Sequence, residues 1–223
     1  MRQKTFGGAS GRIPQICSRL HGCTVFADVG CDHGYCTQYM LKNNLCRRAI
    51  ISDISERSLD KAAKLLAEYA LTDRLQMICC DGMQKVEGAD LVLIAGMGGE
   101  EIVKILDESY IPSSFVFQPM KNAELLRSYL IQNNCAIDED NIFKDGKYYF
   151  IIKGRAVGGS PDYSPAALAF GKDSLCNDLL KDYLADEILK IKSYLTNNMN
   201  NINREILNKR LSFLNGVYSG EIY

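Results

Sequence analysis

The chain has 223 residues, of which 47% are hydrophobic and 24% charged, and a formal net charge of −1. This is ordinary globular usage, which excludes an intrinsically disordered or collagen-like chain and suits one substantial domain with an appendage. No apolar stretch approaches the roughly 18 residues of a membrane span, and Met1–Gly8 lacks the apolar core of a secretory signal, so a cytoplasmic protein is expected.

In chain order, Ile13, Ile16, Cys17 and Leu20 recur at helical spacing, predicting a helix over 13–20. A buried strand follows over Thr24–Gly30, then a helix over Gly34–Asn43 and a second strand over Ala49–Asp53. Ser55 is an expected N-cap for a long helix over Glu56–Ala70. Strands over Leu75–Cys80 and Asp90–Ala95, a helix over Gly99–Asp107, a strand over Ser114–Gln118 and a helix over Asn122–Gln132 complete an alternating series. Such alternation implies crossover connections and a parallel sheet covered on both faces.

The alternation then breaks. Ala136–Phe143 and Lys147–Lys153 both read as strands, joined by Lys144-Asp145-Gly146, the signature of an antiparallel hairpin. Five parallel strands closed by a hairpin define an α/β, Rossmann-like sheet that resembles that of class I methyltransferases. Gly158-Gly159-Ser160-Pro161 marks a boundary. Beyond it Pro165–Tyr218 reads as helix. Its stripe of Leu175, Leu179, Leu184, Ile188, Ile191, Leu195, Met199, Ile202, Ile206 and Leu214 is interrupted near Asn197–Asn201. The expected organisation is therefore a Rossmann-like domain over 1–158 and a C-terminal, coiled-coil-like helical pair over 159–223.

The nine cysteines form no Cys-x-x-C pair, and the only histidines are His21 and His33. Reduced and mostly buried thiols are expected, with no structural metal. Charge is uneven: residues 1–48 carry seven basic groups against Asp28 and Asp32. A basic amino-terminal region is compatible with a polyanion, or simply with a solvated surface.

Ala27-Asp28-Val29-Gly30-Cys31-Asp32-His33-Gly34 delivers two glycines into the turn between a strand and a helix, where open α/β sheets bind ligands. The helix N-terminus there offers unpaired N–H groups. This spacing is neither a dinucleotide fingerprint nor a phosphate-binding loop. Asp53, with Ile54 beside it, ends the second strand 23 residues after Gly30, where a carboxylate can accept from both ribose hydroxyls. Asp81-Gly82 follows the third strand, placed to accept from an adenine amino group, and Ala95-Gly96-Met97-Gly98-Gly99 ends the fourth. Together these strand ends read as a nucleoside site, and the hairpin favours S-adenosylmethionine over a nicotinamide dinucleotide.

The loop Ala27–Tyr35, the run Ile94–Gly99, Phe117-Gln118-Pro119 and the strand pair containing Asp145–Ile152 are, in combination, similar to the bacterial tRNA (adenine-22 N1) methyltransferase family, TrmK. The resemblance covers about residues 12–218. The chain departs from the family pattern at Cys31, where serine is usual, and at Cys36-Thr37-Gln38. The resemblance implies S-adenosylmethionine as methyl donor and tRNA as substrate. It places Asp28, Gly30, Asp32 and His33 in the cofactor loop, Asp53 at the ribose, Asp81 and Gly82 at the adenine, and Gly96, Met97, Gly98 and Gly99 along the crevice.

Adenine N1 carries a free lone pair, so attack needs alignment rather than a general base. The positive charge that develops on the ring calls for a carboxylate, with Asp32 the candidate, or for backbone carbonyls of Ala95–Met97. His33 is expected to orient the loop or substrate. Because N1 lies on the Watson–Crick edge, the base must leave its stack. Tyr35, Tyr148 and Tyr149 are candidate platforms. Arg2, Lys4, Arg12, Arg19, Arg47 and Arg48 are candidate backbone contacts, extended along the tail by Lys190, Lys192, Lys209 and Arg210. The absent Asn/Asp-Pro-Pro-Tyr motif argues against exocyclic N6 chemistry. Methylation of another substrate, or RNA binding without catalysis, are the alternatives; a monomer is expected.

Overall fold

The computed structural model describes residues 11–159, 162–196 and 200–223. Its elements are α1 (Arg12–Cys17), β1 (Val25–Val29), α2 (Tyr35–Lys42), β2 (Arg48–Asp53), α3 (Glu56–Ala67), β3 (Leu75–Cys79), β4 (Leu91–Met97), α4 (Gly99–Asp107), β5 (Ser114–Pro119) and α5 (Ala123–Gln132). They continue with β6 (Ala136–Asp145), β7 (Lys147–Arg155), α6 (Pro165–Phe170), α7 (Asp178–Leu195) and α8 (Asn201–Ser219). Arg2, Lys4 and Met199 lie outside the described residues, as does part of the boundary at 158–161 and of the turn at 197–201.

One seven-stranded sheet runs in the order β3-β2-β1-β4-β5-β7-β6. β1 through β5 pair in parallel, and β7 inserts antiparallel beside β5. The expected sheet is thus present, with a tighter hairpin than expected. Asp145 pairs with Lys147 across Gly146 alone, whose φ of 64° suits glycine.

Strand alternation builds two cores. On β4, Val92 and Ile94 face one layer with Phe115 and Phe117 of β5, Ile102 and Leu106 of α4, and Leu126 and Leu130 of α5. Leu91 and Leu93 face the other, with Phe26, Val116, Ile16 of α1 and Met40 and Leu41 of α2. A side-chain period of two makes every buried strand apolar on both faces. Ser55 caps α3 as expected, its Oγ accepting from Ser58 N at 3.3 Å.

The carboxyl-terminal helix is not continuous. Gly171, at φ 89°, ends α6, and Asn177 starts α7 by accepting from Leu179 N. Arg127 ties α6 to the sheet. Its buried guanidinium bonds Asp140 of β6 at 2.9 Å and donates to the Leu168 and Ala169 carbonyls at 3.1 and 3.0 Å. Burial pushes the Asp140 carboxyl up, against the pull of Arg127. Leu180, Leu184, Ile188 and Ile191 of α7 pack with Leu214 of α8 and with Ile142 of β6. The predicted stripe is buried only near the sheet. Ile202 and Ile206 are 71% and 60% exposed, because among the described residues no third surface packs against the far end of the pair.

Candidate active site

The carboxyl ends of β1, β2, β4 and the turn after β3 surround a cleft of about 650 Å³. Its first wall is the loop from β1 to α2. Gly30 and Gly34 take φ of 69° and 71°, and Asp32 holds φ 44°, a conformation costly for most side chains but tolerated by aspartate. A Cβ on Gly30 would lie 2.2 Å from Met97 Cε, so a larger residue there must displace the methionine tip as well as strain the left-handed backbone. Asp32 receives His33 Nδ1 at 2.7 Å and Lys61 at 3.5 Å, and His33 stacks on Tyr35 at 5.6 Å.

Asp28 is 5% exposed and accepts from Thr37 Oγ1 at 2.8 Å. Burial pushes its carboxyl up to about 7, against the hydrogen bonding of Thr37 and helped by nearby Asp53. The same environment pushes the Cys31 thiol upward, so it carries no reactive thiolate. Asp53 closes the loops on each other: Oδ1 accepts from Ser55 N at 2.9 Å and Oδ2 from Asp32 N at 3.3 Å. Ile54 beside it is 72% exposed on the cleft wall. Asp81 and Gly82 line the cleft from the turn after β3, where Ser52 Oγ donates to Gly82 O at 3.1 Å.

The fourth strand breaks register between Ala95 and Met97, with Gly96 at φ 85°. Arg12, from α1, leans over this bulge. Its Nη1 donates to Gln118 Oε1 at 3.1 Å and lies 3.4 Å from Met120 Sδ, and its guanidinium sits 5.9 Å from the Tyr149 ring.

The cleft therefore gathers Asp28, Gly30, Asp32, His33, Tyr35, Asp53, Ile54, Asp81, Gly82, Gly96, Met97 and Arg12 of the candidates read from sequence. Gly98 lies just behind, its N–H bonded to Glu101 at 2.8 Å, and Tyr149 stands behind Arg12. Arg47 and Arg48 are not brought to the cleft. Arg48 opens β2, paired with Val25 at the start of β1, so both arginines sit at the opposite edge of the sheet. Sequence reasoning missed Glu101, Lys104 and Ile105 of α4, which line the cleft at helical spacing, and the buried Gln118. The acid three residues after Gly98 was a capping signature that could have found the first. Among the described residues no cluster suited to a metal occurs, and no helix is long and apolar enough to cross a membrane.

Residues 9–152 match the family model described as a methyltransferase domain, and the chain belongs to that family. Within it, the tRNA (adenine(22)-N(1))-methyltransferase of Bacillus subtilis is 28% identical over 169 residues, 73% of this chain and 71% of that protein. A putative tRNA methyltransferase of Mycoplasma pneumoniae is 30% identical over 57% of this chain and 61% of its own length. The structure of M. capricolum TrmK with S-adenosyl-homocysteine superposes with a TM-score of 0.86 at 26% identity, covering 95% of this chain and 98% of that one. These relatives bear out the family resemblance read from the sequence.

Proposed function

We propose that this chain is an S-adenosylmethionine-dependent enzyme that methylates N1 of adenine 22 in tRNA, acting as a monomer in the cytoplasm. Residues 1–158 form the catalytic domain and 159–223 the helical extension. One observation carries the reading: five carboxylates, Asp28, Asp32, Asp53, Asp81 and Glu101, line the cleft against Arg12 and Lys104. That balance suits a cofactor with a sulfonium and an ammonium, and disfavours a dinucleotide's phosphates. The glycine floor at Gly30, which a Cβ would fill, fits the same group.

When bound, S-adenosylmethionine supplies a methyl group already activated on sulfur. Asp28, once ionised, would accept from the cofactor's ammonium, Asp53 from the ribose hydroxyls and Asp81 from the adenine amino group. Ile54 and Ile105 would offer apolar contact to the cofactor's adenine. Arg12, held by Gln118, stands over the Gly96 bulge and positions the substrate base against it. No side chain need remove a proton before attack. Asp32 is committed to His33 and Lys61, which makes it a positioning residue for the loop. The backbone carbonyls of Ala95–Met97 take the task of facing the positive charge on the methylated ring.

The test is labelled methyl transfer from S-adenosylmethionine to unmodified tRNA transcripts. Label in the transcript, lost when adenine 22 is replaced by guanine, is expected. Label appearing only in another substrate, or none with a folded protein, overturns the proposal.

A further inference from the structure

A second concavity of about 290 Å³ lies beside the cleft, where β5, the β6–β7 hairpin and the helical tail meet. Its size falls just below the roughly 300–1,000 Å³ typical of ligand pockets, room for about one nucleobase. Aromatic rings dominate its lining. Tyr183 of α7 meets Tyr148 edge-on at 5.3 Å and Phe170 at 6.1 Å. Arg210 of α8 lies 5.7 Å from the Phe170 ring and makes no ion pair among the described residues. Lys121 also lines it, ion-paired with Glu100 at 3.9 Å, and Glu124 is the one carboxylate of the lining. The cleft's excess of carboxylates is not repeated here.

The two concavities share a wall. Arg12 lines the cleft, Tyr149 and Met120 line the second pocket, and the Arg12 guanidinium touches both.

We infer that the second pocket receives the nucleotide adjoining the target adenine, with its base among the tyrosine and phenylalanine rings and its phosphate at Arg210. This rests on the cleft being the methylation site. Extruding the target base strips a stacking partner from its neighbour, and an aromatic pocket restores that stacking without reading sequence. Arg210, stacked against Phe170 and Phe213 and without an ion pair among the described residues, can still offer its N–H groups to a phosphate oxygen. The helical tail thereby contributes directly to RNA binding at the site of reaction.

The experiment compares wild type, Arg210→Ala and Arg210→Lys on unmodified tRNA, and on transcripts with an abasic nucleotide immediately before or after the target. Arg210→Ala is expected to raise KM for tRNA about tenfold, with kcat and S-adenosylmethionine affinity unchanged. It should lower the slope of log affinity against log salt by about one, with Arg210→Lys restoring the slope. One of the two abasic transcripts should lose about fivefold or more in kcat/KM. A wild-type KM and salt slope in Arg210→Ala, or both abasic transcripts methylated like intact tRNA, overturns the inference while leaving the cleft assignment standing. Absence of any tRNA methylation by the unaltered protein instead removes the reading beneath it.

Discussion

Replacing Asp28 by asparagine should stabilise the ligand-free protein at neutral pH while weakening cofactor binding. Burial raises the Asp28 carboxyl from an ordinary 3.8 to about 7. Its contribution to stability is fully present below pH 4, where both folded and unfolded states are protonated. It is lost as pH rises through 7, because ionisation is easier in the unfolded chain. Each pH unit between those values is worth about 1.4 kcal/mol, for a ceiling of about 4 kcal/mol. Asparagine cannot ionise and keeps an acceptor for Thr37 Oγ1, so it escapes this loss. Its advantage should grow by about 2 kcal/mol from pH 5 to pH 7, or some 4–8 °C in Tm for a chain of this size, and then level off. The assay is thermal unfolding of both proteins across pH 5 to 8. The diagnostic is the pH dependence of the difference, since a constant offset also contains any packing change. A Tm difference that stays flat over that range refutes the reasoning. The same exchange should weaken S-adenosylmethionine binding, which for wild type should tighten as pH rises through 7.

Asp53→Ala should weaken S-adenosylmethionine binding roughly 10- to 150-fold in calorimetry, the worth of hydrogen bonds to a charged acceptor; unchanged affinity would remove Asp53 from the site. Asp140→Ala strands the buried Arg127 charge and should cost about 3–5 kcal/mol in denaturant unfolding. A loss below about 1 kcal/mol would mean that α6 is held to the sheet by packing alone. Arg47→Glu with Arg48→Glu should leave kcat and cofactor affinity unchanged and raise KM for tRNA less than about twofold, since neither side chain is near the cleft. A large rise in KM would place RNA on the amino-terminal edge of the sheet.

The sheet was legible because its signals are local. A continuous apolar run on β4 and Gly146 after Asp145 mark a strand buried on both faces and a hairpin without knowledge of distant residues. The cleft was legible for a related reason: Gly30, Asp53, Asp81 and Gly96 end successive elements, and a parallel sheet carries all such ends to one edge. Position along a strand, by contrast, decides which end of the sheet a residue joins: Arg47 and Arg48, read as tRNA-backbone contacts, precede β2 rather than follow it and so lie away from the cleft. Gln118 and Arg12 lie 106 positions apart, so their bond follows only from α1 folding over β5. The exposed tip at Ile202 and Ile206 was hidden because periodicity reveals an apolar face and not what covers it.

Calorimetric titration with S-adenosylmethionine, run in parallel on the wild-type protein and on Gly30→Ala, tests the central claim most directly. The account predicts one saturable site for wild type. It predicts clearly weaker binding to a still-folded Gly30→Ala, because alanine strains the φ of 69° that shapes the cofactor loop and its Cβ forces the Met97 side chain to move. A cooperatively folded wild-type protein that takes up no S-adenosylmethionine at millimolar concentration, or a Gly30→Ala variant that binds as well as wild type, would contradict it.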